Sequence, residues 1–198
     1  ISGGSTMAAV AEEMPILPFN PTVVPARGGV GAVVEYQANV IASVLAERLR
    51  GTYKMLHLPD GLSQDSLHML MTCEPQIKEI GDLISRTDVL LFGIGTAMRM
   101  ADQRHIADDV RKKLVDNHAV GEALGQYCDM DGKLIYSTNN IGLSLPDVAK
   151  VPNVIAVAGG QEKASAIIGV MRACQKGILI IDEQAAEGMR QLLQISAL

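Results

Sequence analysis

Five short apolar, β-branched runs recur along the chain, and each is followed by a segment with helical character. They are PTVVPA (21–26), TYKMLHL (52–58), DVLLFGIG (88–95), NVIAVAGG (153–160) and GILIIDE (177–183). Runs that are apolar at nearly every position suit strands covered on both faces. Their alternation with helices suits a parallel sheet joined by crossover helices. An α/β domain with helices on both faces of a parallel sheet is therefore predicted. The segment 161–173 shows the helical period, with Ala164, Ile167, Ile168 and Met171 on one face, and the last helix repeats it with Ala186, Met189 and Leu193. The 198 residues fit a single domain with one substantial core.

The rhythm breaks once. EALGQYCDMDGKLIYS (122–137) alternates polar and apolar residues around Asp131–Gly132, a pair suited to a hairpin turn, so a small β-hairpin insertion is predicted there. Leu145–Lys150 reads as a short helix leading into the fourth of the five runs.

Composition removes several function classes. Hydrophobic residues make up 48% of the chain, yet no stretch approaches the roughly 20 apolar residues of a membrane span, and no cationic segment precedes an apolar one as in a secretory signal. A soluble domain with no membrane partner is expected. Seventeen basic against 22 acidic residues, no Lys/Arg cluster, 3% aromatics and no Trp argue against this chain gripping nucleic acid by itself. Cys73, Cys128 and Cys174 are widely spaced without a C-x-x-C, which reads as buried free thiols in a reducing cytoplasm. His57, His68, His105 and His118 lack metal-ligand spacing, so no metal is expected.

The chemistry gathers where the apolar runs end. Gly3-Gly4-Ser5-Thr6 opens a helical run. Its hydroxyls and backbone N–H groups suit a phosphate, although Ser and Thr also cap helices on local grounds alone. Only Ile1 and Ser2 precede it where a strand is wanted, so a fragment of a longer protein is expected. VPARGGVG (24–31) carries Arg27 at the tip of a turn through Gly28, and a guanidinium offers a planar fork of donors to phosphate oxygens. Tyr36, Gln37 and Asn39 follow at the start of the next helix, with Gln37 and Asn39 suited either to sugar hydroxyls or to capping that helix. FGIGTAMRMADQR (92–104) runs through Gly95 and Thr96 into a helix whose Arg99 and Arg104 point roughly 140° apart, so at most one faces a site. AVAGGQEKASAI (156–167) places Lys163 in a first helical turn, where the dipole disfavours a cation unless an anion compensates. Glu122, in small and apolar surroundings, can accept sugar hydroxyls or serve as an acid–base group. Asp131 is most simply a turn residue and Asp182–Glu183 a helix cap.

Ligands of open α/β sheets sit beyond the strand C-termini. Four such ends with glycine turns, cations and paired hydroxyls describe one pocket for a phosphorylated small molecule. A nucleotide fits less well, because neither G-x-x-x-x-G-K-[ST] nor G-x-G-x-x-G with a following acidic residue is present.

SGGSTMAAVAEEM, VPARGGVG, YQAN (36–39), FGIGTA, HAVGEALGQYCDMDGKLI and VAGGQEKASAIIGVMRA, in this order, resemble the sugar-binding effector domain of SorC-type bacterial transcriptional regulators, over essentially the whole chain. The resemblance implies a Rossmann-like fold related to phosphosugar isomerases and glucosamine-6-phosphate deaminases. It also implies an N-terminal DNA-binding domain outside residues 1–198 that meets operator DNA, a homodimer or homotetramer, and no cofactor. The implied effector is a phosphorylated sugar, with fructose 1,6-bisphosphate the inducer in the glycolytic branch. Carried over by position, Gly4, Ser5 and Thr6 would hold one phosphate with Lys163 nearby. Arg27 and Gln37 match a second anion-binding region, with Arg104 on the helix after FGIGTA, and Glu122 would accept sugar hydroxyls; Gly3, Gly28 and Gly95 are expected to line the same site. Two positions depart from the family pattern: Gln103 replaces one of two expected arginines, and Thr96 stands where an acidic residue is frequent. The competing reading is an isomerase or deaminase on the same fold, for which Glu122 is the one candidate base.

Overall fold

The computed structural model describes residues 1–29, 33–58 and 61–194. Along the chain the strands are β1 (Thr22–Val23), β2 (Thr52–Tyr53), β3 (Val89–Gly93), β4 (Gly95–Thr96), β5 (Gly121–Ala123), β6 (Gln126–Cys128), β7 (Leu134–Ser137), β8 (Asn153–Ala158) and β9 (Ile178–Ile181). The helices are α1 (Ser5–Glu13), α2 (Ala38–Arg48), α3 (Gln64–Cys73), α4 (Pro75–Ser85), α5 (Ala97–Gln103), α6 (Asp108–Asp116), α7 (Leu145–Val148), α8 (Ala164–Cys174) and α9 (Glu183–Leu192), with single 3₁₀ turns at Val34–Tyr36 and Gln161–Lys163.

All five apolar runs contribute parallel strands. β1 pairs with β2, and β3, β8 and β9 pair in that order. Residues Ile1–Ser2 join the two groups. The Ile1 amine donates to Val24 O at 2.9 Å, Ala26 N donates to Ile1 O at 2.7 Å, and Ser2 N donates to Leu91 O at 3.0 Å. Counted in chain order, the six extended segments then lie in the doubly wound order 3-2-1-4-5-6. Two residues thus hold the central place, next to the switch point where the strand order reverses.

Side-chain alternation builds a core on each side of this sheet. Leu90 and Phe92 of β3 and Val154, Ala156 and Ala158 of β8 face a large cluster with Leu67, Ile80, Ile84 and Ile167 from α3, α4 and α8. Leu91 and Val157 face the other way, onto Met7, Ala8 and Ala11 of α1 and Ile41, Ala42 and Leu45 of α2.

The predicted hairpin is one part of a larger element. β4, β5, β6 and β7 form a four-stranded antiparallel sheet in that order. Asp131–Gly132 does turn β6 into β7, but a second turn at Leu124–Gly125 joins β5 to β6. Leu124 adopts φ 53° and Gly125 φ 78° there. Leucine in the left-handed region is uncommon, and its burial among the core residues offsets the strain. This sheet explains a further departure from the sequence reading. α8 buries Ala164, Ala166, Ile167, Ile168, Gly169 and Val170, more than one face, because the antiparallel sheet covers the side that a two-layer packing would leave to water. Close approach demands small residues there: a Cβ on Gly121 would lie 2.8 Å from Ala166 O, and one on Gly169 would lie 2.4 Å from Asp129 O. In α9 the buried positions are Ala185 and Gly188, while Ala186 and Leu193 are exposed. The short helix predicted over Leu145–Lys150 forms as α7 and ends two residues earlier, at Val148.

Candidate functional site

Because the strands are parallel, the C-terminal ends of four neighbours open on the same edge. In spatial order they lead into Arg27, Gly3–Thr6, Gly93–Thr96 and Gly159–Lys163. Adjacent strands lie about 4.8 Å apart, so the four ends span about 14 Å, enough for a sugar carrying a phosphate at either end.

At the second of these ends Gly4 is the N-cap of α1 with φ 112°, a conformation suited to glycine. The first intrahelical bond is Ala8 N to Gly4 O at 3.0 Å, so the amides of Ser5, Thr6 and Met7 precede the ladder and point out of the helix end. Among the described residues no side chain caps this helix. The hydroxyls of Ser5 and Thr6 are therefore not spent on capping, which removes the local explanation for their presence. Gly3 is needed for a close approach, since a Cβ would lie 2.8 Å from Tyr36 O.

Two arginines and one carboxylate meet around the Leu124–Gly125 turn. Glu122 is 3% exposed, and its Oε1 accepts from Gly125 N at 2.6 Å and from Arg104 Nη2 at 3.1 Å. Arg104 follows α5, and its Nε is buried without a hydrogen-bond partner among the described residues. Arg99 on the same helix is exposed, as its angular separation predicts. Arg27 is 7% exposed and pairs through its backbone with Gly142 in an isolated antiparallel bridge. Its Nη2 donates to Thr138 Oγ1 at 3.2 Å, and Thr138 Oγ1 donates in turn to Gly125 O at 3.0 Å. A Cβ on Gly125 would lie 2.9 Å from the Arg27 Cζ, so that guanidinium lies against the glycine. Gly95 borders the same cluster, 3.9 Å from Glu122 Oε2 to the position a Cβ would take. Thr96 is the N-cap of α5 and pairs with Gly121.

The other expected residues lie at varying removes. Gly28 is buried, packs on Leu56 and Leu58, and donates its amide to Ile141 O at 2.9 Å. Val30 and Gly31 of the VPARGGVG stretch lie outside the described residues. Gln37 is the N-cap of α2 without a side-chain cap bond. Asn39 does neither of the things expected of it. Its side-chain amide bonds both ways to the Leu56 backbone, at 2.9 and 3.1 Å, and ties α2 to the chain after β2. Gln103 is exposed at the last position of α5. Lys163 ends the 3₁₀ turn before α8, and part of the anion that its position calls for is internal. Asp182, the N-cap of α9, accepts from Ala185 N at 2.8 Å and from Gly160 N at 2.9 Å. Those two amide bonds, with the nearby Lys163 charge, hold its carboxyl below the usual range.

No group of three or more His, Cys, Asp or Glu able to hold a metal exists among the described residues, and no described helix is long and apolar enough to cross a membrane. All three cysteines are free thiols. Cys128 and Cys174 are buried, as read from the sequence, whereas Cys73 is exposed at the end of α3. Sequence reasoning missed Thr138 altogether, because a threonine at a strand end carries no motif. It also missed the Leu124–Gly125 turn, because Leu-Gly lacks the Asn-Gly or Asp-Gly signature.

A family model described as "Putative sugar-binding domain" matches residues 1–191. The central glycolytic genes regulator of Bacillus subtilis is 40% identical over 189 residues, covering 94% of this chain and 55% of the regulator. The chain thus spans about half the length of the curated relatives it matches. Among solved structures, the "putative SorC family transcriptional regulator" of Enterococcus faecalis superposes with a TM-score of 0.87 at 40% identity, over 95% of this chain and 77% of that one. The full-length sorbitol operon regulator SorC of Klebsiella pneumoniae shares the fold, with a TM-score of 0.84 at 21% identity over 95% of this chain and 64% of that one. The sheet order, the loops at its C-terminal edge and these likenesses agree: the chain belongs to the family of sugar-binding domains found in SorC-type transcriptional regulators.

Proposed function

We propose that this domain is the effector-sensing part of a bacterial transcriptional repressor of glycolytic genes, working in the cytoplasm, and that its effector is a phosphorylated sugar. Fructose 1,6-bisphosphate or a related glycolytic intermediate is the ligand class. One observation carries the reading: hydroxyls and amides at the α1 N-terminus stand on one sheet edge with the cluster of Arg27, Glu122 and Arg104. The first group suits one phosphate, and the guanidiniums suit a second anionic group. Glu122 Oε2 is the acceptor for a sugar hydroxyl, since Oε1 is already engaged twice. The 40% identity to a protein named for glycolytic gene regulation supports the effector class.

The competing isomerase or deaminase reading relies on Glu122 as base. That carboxylate is tied to Arg104 and to the Gly125 amide, an arrangement that holds a ligand in place rather than one that shuttles a proton. In the sensor, ligand binding must favour one of two arrangements of a homodimer or homotetramer. In that way it changes how DNA-binding domains preceding this one meet operator DNA. Calorimetric titration with fructose 1,6-bisphosphate, fructose 6-phosphate, glucose 6-phosphate and glucosamine 6-phosphate, beside turnover assays on the monophosphates, tests the proposal. Binding without turnover is expected; turnover that disappears in Glu122→Gln would overturn it.

A further inference from the structure

We propose that Thr138 and Gly125 form the seat of the Arg27 guanidinium, with Thr138 a positioning residue that sets the domain's preference for phosphorylated over unphosphorylated sugars. The preference rests on the ligand class proposed above; the seat itself does not.

Thr138 follows β7, at the far edge of the antiparallel sheet, while Arg27 ends the β1 segment of the parallel one. Two contacts bring them together. The backbone bridge between Arg27 and Gly142 places the chain after Thr138 alongside Arg27, and Leu143 N donates to Ala26 O at 2.8 Å. The Thr138 hydroxyl then uses its full capacity inside the protein: it donates to Gly125 O at 3.0 Å and accepts from Arg27 Nη2 at 3.2 Å and from Asn140 Nδ2 at 3.4 Å. The bond to Gly125 O sets its direction, so one lone pair faces the guanidinium and the other the Asn140 amide. Thr138 is itself held, since its amide also donates to Gly125 O, at 2.9 Å, and its carbonyl accepts from Asn140 Nδ2 at 3.1 Å.

Gly125 supplies the floor. A Cβ there would lie 2.4 Å from Thr138 Oγ1 and 2.9 Å from Arg27 Cζ, and its φ of 78° disfavours any side chain. The same residue gives its amide to Glu122 Oε1. One glycine therefore fixes the spacing between a guanidinium meant for anionic oxygen and a carboxylate meant for hydroxyl. Alignment matters for a fork of donors, because a misaimed fork loses its second bond to a phosphate while keeping its charge. A neutral sugar, which does not need the fork, is indifferent to it.

The test compares Thr138→Val, which keeps the shape and removes the hydroxyl, with Thr138→Ser, which keeps the hydroxyl. Calorimetry would use fructose 1,6-bisphosphate, fructose 6-phosphate and fructose, in wild-type and Arg27→Ala backgrounds. Nitrogen-15 NMR of the Arg27 side chain without ligand would report whether its terminal nitrogens give separate, slowly rotating signals. Thr138→Val is expected to weaken the bisphosphate about tenfold, the scale of one charged hydrogen bond, with Thr138→Ser close to wild type and no further loss in Arg27→Ala. The separate Arg27 signals should merge in Thr138→Val and persist in Thr138→Ser. Unchanged signals in Thr138→Val would overturn the seat, whatever the ligand. Merged signals with unchanged bisphosphate affinity, or an equal loss for fructose or in Arg27→Ala, would overturn the specificity role. Wild-type protein that binds no phosphosugar would overturn the functional reading and the specificity role with it, while the NMR comparison still decides the seat.

Discussion

Replacing Glu122 by Gln is the sharpest test of the buried cluster without ligand. The carboxylate is 3% exposed and accepts from Arg104 Nη2 and from the Gly125 amide, while the Arg104 side chain is 19% exposed. Removing one partner of a fully buried ion pair costs roughly 3–5 kcal/mol, chiefly because the other charge is stranded. Two features reduce that figure here. The Gln side-chain oxygen keeps the bond from Gly125, and Arg104 retains some access to water. A loss of about 2–3 kcal/mol is expected, which for a domain of this size lowers Tm by about 4–12 °C. Arg104→Met in the Glu122→Gln background removes the stranded cation and its Nε, which has no hydrogen-bond partner among the described residues. The double variant should therefore be more stable than the sum of the single effects predicts, by about 1–2 kcal/mol. Urea unfolding of all four proteins by circular dichroism reads both quantities. Wild-type stability in Glu122→Gln, or additivity of the two changes within about 0.5 kcal/mol, would refute the argument that the pair acts as a unit.

Thr6→Val should leave stability without ligand unchanged, because among the described residues no side chain caps α1, yet shrink the rise in Tm that fructose 1,6-bisphosphate produces; a loss of ligand-free stability instead would return Thr6 to a structural role. Gln103→Arg adds a cation at the exposed end of α5 and should shift the preference for bisphosphate over monophosphate about tenfold if that end borders the second phosphate; calorimetry showing an unchanged ratio would place residue 103 outside the site. Burial raises the Cys128 and Cys174 thiols to about 12, so iodoacetamide should label Cys73 alone in the folded protein and all three thiols in urea, as mass spectrometry would show. The Asp182 carboxyl is held low by amides of Ala185 and Gly160, so its stabilising effect is complete above its ordinary value of 3.8 and fades as pH falls below it through the lowered folded-state value. Urea midpoints between about pH 2 and 5 should accordingly fall less steeply with acid in Asp182→Asn than in wild type; parallel curves would contradict the assignment.

The class of fold was legible in the order of residues alone, and with it the edge on which a candidate site would lie. Apolar runs such as DVLLFG and NVIAVA can be satisfied only with both faces covered, and β3 and β8 do send alternate residues into two separate cores. Glycine turns closing those runs put the candidate ligand chemistry at the strand C-termini, which parallel pairing gathers on one edge. Local chemistry was equally legible at Asp182, whose capping role needs nothing beyond the next helical turn. What the sequence could not decide is every feature that depends on distant segments meeting. Ile1–Ser2 takes its place as the central extended segment only through bonds to Val24, Ala26 and Leu91. Asn39, polar and near a helix start, reads as a cap or a sugar ligand until Leu56 is placed beside it. Arg27 and Glu122 are far apart in the chain, and their meeting depends on a Leu-Gly turn whose unfavourable backbone angle is compensated by burying Leu124. Pattern reasoning registers local preference, whereas that compensation is a tertiary quantity. For the same reason Thr138 carries no signal of its own: its role exists only where the two sheets bring Gly125 and Arg27 to either side of one hydroxyl.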